Sequence, residues 1–361
     1  AISSTVHYVK KNYLSAPMKF SIIDSAPTLE TRDPSVSNIT VLVVGETARA
    51  KNYSINGYQK NTNRHTENLS LVSFKDMYSC GTATAVSVPC MFSALTKENY
   101  DGRKASHQQN ILDIAKLAGM DVLWIDNTDG CKGVCKRIPT IKIDPKSENP
   151  LCDGEYCFDL ALLAPFKEKI PNLTSKNTLV VLHLIGSHGP TYYRRYPEEH
   201  KTFTPDCPRS DIQNCSEDEL VNTYDNTIAY SDFILSKVVE ELSAHTASAS
   251  LQNQKVEASM IYISDHGESL GEAGAYLHGF PYSLAPIEQI HIPMLFWSNN
   301  IDTSINSCLA QLSENTYSHD NLYHSLLGLM EIESTTYLED QDLFSSCTYL
   351  SKVEANKNNK I

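Results

Sequence analysis

The chain has 361 residues, 41% hydrophobic and 20% charged, with 15 Gly and 16 Pro, which excludes collagen-like, low-complexity and wholly disordered readings. Its 30 Lys and Arg against 43 Asp and Glu leave a formal net charge of −13, the wrong sign for a nucleic-acid partner held through phosphates. No run of about 18 apolar residues is present, so no helical membrane span is expected in this stretch.

The sequence starts at Ala1 with neither an initiator Met nor a signal-peptide apolar region, as expected of a processed or truncated product. Residues 1–35 carry scattered apolar side chains without a sustained period and read as a linker or an edge appendage. Thr40 to Val44 is a short β-branched run ended by Gly45, the pattern of a buried strand. Comparable runs recur at 121–125, 178–185, 259–263 and 292–297. Helical patterns lie between them. The clearest runs from Ser216 to about His245, with Leu220, Tyr224, Ile228, Ser231, Leu235 and Val238 on one face. Ser216 followed by Glu219 predicts a capping box at its start. A second helix is expected from about His319 to Met330. Apolar strands alternating with helices predict an α/β fold, a mainly parallel central sheet sandwiched by helices. The Lys- and Asn-rich tail, residues 351–361, is expected to fray.

Ten cysteines fall into close pairs, Cys80/Cys90, Cys131/Cys135, Cys152/Cys157 and Cys207/Cys215, with Cys308 and Cys347 apart. An even count at short spacings favours disulfides and an oxidising compartment, periplasmic or extracellular. A zinc ribbon using Cys131, Cys135, Cys152 and Cys157 is the rival, and it would leave six cysteines unexplained. Cys308 and Cys347 pair with each other only as the two left over.

Polar side chains follow the predicted strands. Glu46 follows the first, Asp126 and Asn127 the second, Ser187 and His188 the third, and Asp265, His266 and Glu268 the fourth. In open α/β sheets, ligands bind at the carboxyl ends of strands, and four such loops make a constellation. Each member alone has an ordinary explanation. An Asp-His pair is commonly a helix cap beside a surface histidine. Glu46 also suits the positive end of a helix. His188 and His278, each followed by Gly, equally suit plain loop histidines. His183 lies inside its strand and reads as a hydrogen-bonded core residue, and the other histidines carry no assignment. The hydroxyl-rich stretch from Ser79 to Cys90 lies beside a helix start, where free N–H groups favour attacking oxygens and phosphates.

Several of these segments together resemble one family. Val43–Arg49, Asn56–Tyr58, Ser79–Ala85, Ser87–Ser93, Cys131–Cys135, Gly186–Pro190, Ser264–Glu272 and Tyr276–Gly279 are similar, in order and spacing, to the bacterial phosphoethanolamine transferases that modify lipid A. That family includes the mobile colistin-resistance enzymes and belongs to the alkaline phosphatase/sulfatase superfamily. The resemblance covers roughly residues 36–350. It implies a zinc enzyme with Thr84 as nucleophile, and Glu46, Asp265 and His266 joining Thr84 around one tightly held zinc. His188 and His278 would serve a second zinc or the phosphoryl group. Asn127 and Lys132 match positions near the phosphoethanolamine. The family carries membrane-spanning helices ahead of this domain, so the resemblance implies a monomeric catalytic domain on the periplasmic face of the inner membrane, anchored through an N-terminal segment.

The chemistry implied is consistent with these residue types. Thr is a poor nucleophile at neutral pH, and zinc beside its oxygen lowers the pKa as it does for water. Attack on phosphatidylethanolamine would release diacylglycerol and leave phosphoethanolamine on Thr84. Lipid A or another envelope acceptor would then take the group, giving ping-pong kinetics. A phosphoglycerol transferase and a hydrolase of the same superfamily are the alternatives.

Overall fold

The computed structural model describes residues 18–30, 35–172 and 176–347. Its central sheet is built from β1 (Val36–Gly45), β2 (Val72–Tyr78), β3 (Asp121–Asp126), β4 (Thr140–Lys142), β5 (Asn177–His183), β6 (Lys255–Ser264), β7 (His291–Ser298) and β8 (Thr316–Ser318). The spatial order is β8-β2-β7-β6-β1-β5-β3-β4. All neighbours are parallel except β7, which runs antiparallel to both β2 and β6. The helices are α1 (Thr84–Met91), α2 (Gly102–Ser106), α3 (Ile111–Leu117), α4 (Leu163–Lys169), α5 (Glu217–Leu251), α6 (Thr303–Leu312) and α7 (His319–Leu329).

Alternation along β1 explains the layering. Leu42 and Val44 face a core shared with Phe74, Trp124 and residues of α1, α3 and α7. Val41 and Val43 face the opposite core, against Phe166 of α4 and Tyr224, Ile228 and Leu235 of α5. A strand buried on both faces needs an unbroken apolar run, the feature visible in its sequence. Each such side chain contributes roughly 1.5–3 kcal/mol on burial. The expected capping box starts α5: the Ser216 hydroxyl accepts the Glu219 N–H, and the Glu219 carboxylate accepts the Ser216 N–H. The helix continues past His245 to Leu251.

Two features depart from the sequence expectation. Strand β2 carries no apolar run, because Lys75 and Asp76 interrupt it on the partly exposed flank beside the three-residue β8. Strand β7 was expected, but its antiparallel direction was not. The 26-residue stretch between β6 and β7, residues 265–290, therefore leaves and re-enters the sheet at the same edge.

Part of the segment expected as a linker or an edge appendage packs on the domain. Thr28–Leu29 pairs antiparallel with Ile332–Glu333, and Gln109 accepts the N–H groups of Ile23 and Asp24. Residues 1–17 and the expected tail at 351–361 lie outside the described residues. All five disulfides form, Cys80–Cys90, Cys131–Cys135, Cys152–Cys157, Cys207–Cys215 and Cys308–Cys347, so the zinc-ribbon reading falls. No helix among the described residues is long and apolar enough to cross a membrane.

Candidate active site

The carboxyl ends of β1, β2, β3, β5 and β6 open at one edge, where the loops after them converge. Glu46 follows β1 and is buried. The next residue, Thr47, has φ 60, a left-handed conformation costly for a β-branched residue. The turn is held from three sides: the Thr47 N–H donates to Asp265 Oδ1 at 3.0 Å, its hydroxyl to Glu46 Oε1 at 2.6 Å, and its carbonyl accepts from Tyr224 of α5 at 2.8 Å. Gly186, after β5, has φ 50, and a Cβ there would lie 2.7 Å from the Glu46 carbonyl oxygen. Only glycine lets the two loops approach this closely.

Thr84 is the first residue of α1. Its hydroxyl lies 3.0 Å from both oxygens of Glu46 and 3.3 Å from His266 Nε2. The segment ahead of it is tied down by the Cys80–Cys90 disulfide. The Thr82 carbonyl also accepts the Gly279 N–H at 2.8 Å, and its hydroxyl donates to Phe280 O at 2.6 Å. Those two bonds bring the 265–290 stretch, and with it His278, to the nucleophile candidate.

Asp265 and His266 follow β6 in the same loop and are fully buried. Donor atoms of Glu46, Asp265 and His266 all lie within 4.8 Å of one another. Burial pushes the Glu46 carboxyl up, but its hydrogen bond to His266 and the charges of His266 and His188 outweigh that and hold it well below the carboxylate range. Burial and the neighbouring Glu46 charge push Asp265 up to about 6. For His266, burial opposes the charged form, yet Asp265 and Glu46 raise it to about 10. Two acidic groups and one imidazole packed this tightly call for a cation. Asp265 Oδ2 is buried with no hydrogen-bond partner, and a buried carboxylate oxygen is rarely left so. Two carboxylate donors, an imidazole and a hydroxyl make a set that suits zinc.

A second layer of histidines adjoins this trio. The His278 ring lies 4.4 Å from His266 and 5.9 Å from His188, centroid to centroid. Burial lowers the His188 pKa, with Glu46 opposing and Arg195 adding to the fall. His278 Nδ1 faces Glu268 Oε1 at 3.2 Å, and Glu268 also accepts from the Tyr192 hydroxyl at 3.0 Å. Burial raises the Glu268 pKa although its partners oppose. Glu46, Thr84, Asn127, Lys132 and His188 line one cleft of about 310 Å³. The Asn127 amide nitrogen is committed to Asp159 and the Cys157 carbonyl, so its amide oxygen is the atom left for the cleft. Every residue singled out from the sequence thus lies at this edge.

Three contributors carried no sequence assignment. Glu268 orients His278; the sequence placed it after the fourth strand but gave it no role. Asp159 accepts the N–H groups of Ile185 and Gly186, shaping the His188 loop. His319 bridges Cys80 and Ser264 from α7, with no motif around it. His183 is the expected core histidine, buried against Trp124 and 3.1 Å from the Thr128 hydroxyl.

The sulfatase family profile matches residues 38–332. The phosphoethanolamine transferase EptA of Escherichia coli K12 is 44% identical over 320 residues, covering 87% of this chain and 57% of its own. The phosphatidylethanolamine transferase Mcr-1 of Escherichia coli is 36% identical, covering 88% of this chain and 58% of its own. The chain thus spans little more than half the length of these relatives. The crystal structure of the soluble domain of lipooligosaccharide phosphoethanolamine transferase A from Neisseria meningitidis superposes with a TM-score of 0.85 at 41% identity, covering 92% of this chain and 99% of that one. With the sheet, the converging loops and these likenesses together, the chain belongs to the sulfatase family and groups with its phosphoethanolamine transferase members.

Proposed function

We propose that this chain is the catalytic domain of a zinc-dependent phosphoethanolamine transferase with Thr84 as its nucleophile. The observation that carries this reading is the Thr84 hydroxyl, at the start of α1 and 3.0 Å from both Glu46 oxygens. Glu46, Thr84, Asp265 and His266 are the residues that would hold zinc, whose charge when bound eases deprotonation of the hydroxyl and offsets phosphoryl charge.

The donor is phosphatidylethanolamine. Thr84 Oγ1, its proton given up to solvent, forms a bond to phosphorus, and the bond from phosphorus to the glycerol oxygen breaks. His278, held by Glu268 through Nδ1, gives that oxygen a proton, and diacylglycerol leaves. In the second half, an acceptor oxygen attacks the same phosphorus and the bond to Thr84 breaks. Thr84 regains its proton, and His278 is reprotonated from the acceptor or solvent. Lys132, His188 and the free N–H groups at the start of α1 stabilise charge on the phosphoryl oxygens. A second zinc at His188 and His278 is the alternative use of those rings. The acceptor is a phosphorylated envelope glycolipid of the lipid A kind, reached at the periplasmic face of the inner membrane by a monomer anchored outside this stretch.

The test is peptide-mapped mass spectrometry after incubation with phosphatidylethanolamine, with Thr84→Ala alongside. A phosphoethanolamine adduct on Thr84, absent in the variant, supports the reading. Steady release of free phosphoethanolamine without transfer makes the protein a hydrolase instead, and adduct elsewhere removes Thr84 from its role.

A further inference from the structure

A second cavity, of about 390 Å³, shares Lys132 with the cleft. Arg103, Lys132, Lys136 and Arg137 line it together with His107, and no carboxylate does. In a chain of net charge −13, four basic side chains around one concavity depart sharply from the average surface. Such a concentration focuses a positive potential inside a concave wall. Arg137 is partly neutralised, since Nε and Nη2 bond the Asp113 carboxylate at 2.6 and 2.5 Å. Lys132 and Lys136 are exposed and, among the described residues, no side chain or carbonyl pairs with either. Two ammonium groups kept apart from the many carboxylates of this protein are placed for an anion from outside.

The cavity is continuous with the chemistry. Lys132 lines both spaces, Thr84 lines the cleft and Ala85, the next residue of α1, lines the cavity. The Lys132 backbone has φ 49 and Gly133 φ 95, two consecutive left-handed residues inside the Cys131–Cys135 loop. A left-handed lysine costs energy, and this one stands at the junction.

Building on the transferase reading, we propose that this cavity is an anion subsite for a phosphate monoester of the acceptor, distinct from the donor cleft, with Arg103 and Lys136 as its specificity-determining cations. A phosphate monoester carries up to two charges and three free oxygens, matching a ring of flexible cationic donors. The donor phosphodiester, with one charge and bulky substituents on both sides, is the poorer match. Occupancy would hold a phosphorylated sugar next to the loaded Thr84, so the second half of the cycle gains proximity while the first does not.

The test is the double variant Arg103→Gln/Lys136→Gln, compared with the unaltered protein in three measurements. One is the rate of phosphoethanolamine loading on Thr84 from short-chain phosphatidylethanolamine. Another is KM for a phosphorylated disaccharide glycolipid acceptor, at varied salt. The last is binding of glucose 1-phosphate by calorimetry, which needs no turnover. Expected are unchanged loading, acceptor KM raised at least about tenfold with a flatter salt dependence, and glucose 1-phosphate affinity lowered by a similar factor. Unchanged KM and affinity with normal loading overturn the inference and leave the transferase reading standing. Slowed loading with unchanged acceptor KM assigns the cavity to the donor, which also overturns it. If the unaltered protein never loads Thr84, the transferase reading fails, while glucose 1-phosphate binding lost in the variant still supports an anion subsite.

Discussion

His319 Nε2 donates to the carbonyl of Ser264 at 2.9 Å, and the opposite ring nitrogen accepts the Cys80 N–H at 3.0 Å. One neutral, buried imidazole thus couples the end of β6, which leads into Asp265, to the loop that carries Thr84. Both bonds require the tautomer protonated at Nε2. Burial, helped by the neighbouring His266 charge against the Ser264 bond, lowers its pKa to about 4.

His319 therefore contributes a pH-dependent share of stability. Its folded pKa of about 4 lies below the unfolded value near 6.5, so between these limits the unfolded chain binds more protons. The contribution is complete above about pH 6.5 and is lost as pH falls toward 4, an amount of roughly 3 kcal/mol. His319→Ala is expected to lower stability by about 2–4 kcal/mol at pH 7.5 through two lost buried hydrogen bonds and a cavity. It should also lose less on going to pH 5 than the unaltered protein does. Urea unfolding at the two pH values checks both statements.

Thr84→Ala is expected to abolish transfer, by about a thousandfold or more, while leaving the melting temperature within a few degrees. The side chain is half-buried at a helix start, and its removal deletes few packed atoms. Thr84→Ser should keep measurable activity, since the oxygen stays. Activity assays paired with thermal unfolding separate the nucleophile from a structural role.

Glu46→Gln is expected to remove both zinc and activity. It keeps the shape of a buried residue but takes away the charge that Thr84, Thr47 and His266 all face. Chelation of the unaltered protein should lower its melting temperature, because Glu46 and Asp265 are then left to repel each other in a buried site. Metal analysis after gel filtration, with melting curves before and after chelator, checks this. Equal zinc content in the variant would place the ion elsewhere.

Glu268→Gln isolates the second layer. The amide still accepts from Tyr192, so the fold should hold, but it no longer carries the charge that faces His278 Nδ1. Changes to such supporting partners typically cost about 10–100-fold in activity. The expected signature is a fall in kcat with KM and zinc content unchanged. A loss confined to stability would make Glu268 a packing residue only.

Much of the site was legible before any coordinates. Glu46, His188, Asp265 and His266 each follow an apolar strand, and two-sided burial requires such runs to be continuous, so strand and loop were both visible in the residues. The ligand set itself came through resemblance, because Thr84 sits in a hydroxyl-rich stretch where any of several residues fits a helix start. Glu268 stood within a motif yet had no stated task, since its partner His278 lies ten residues on and its burial depends on Tyr192 from another loop.

By itself, the amino-acid order determined the alternating apolar runs, the capped α5, the pairing of close cysteines and the acidic balance, all properties of neighbours along the chain. Tertiary structure alone decided that β7 runs antiparallel, returning residues 265–290 to the catalytic edge, and that His319 joins Ser264 to Cys80. It also decided that the scattered Arg103, Lys132, Lys136 and Arg137 share one cavity. The direction of a strand and the meeting of distant side chains depend on how whole layers pack, and no local period along the chain carries that information.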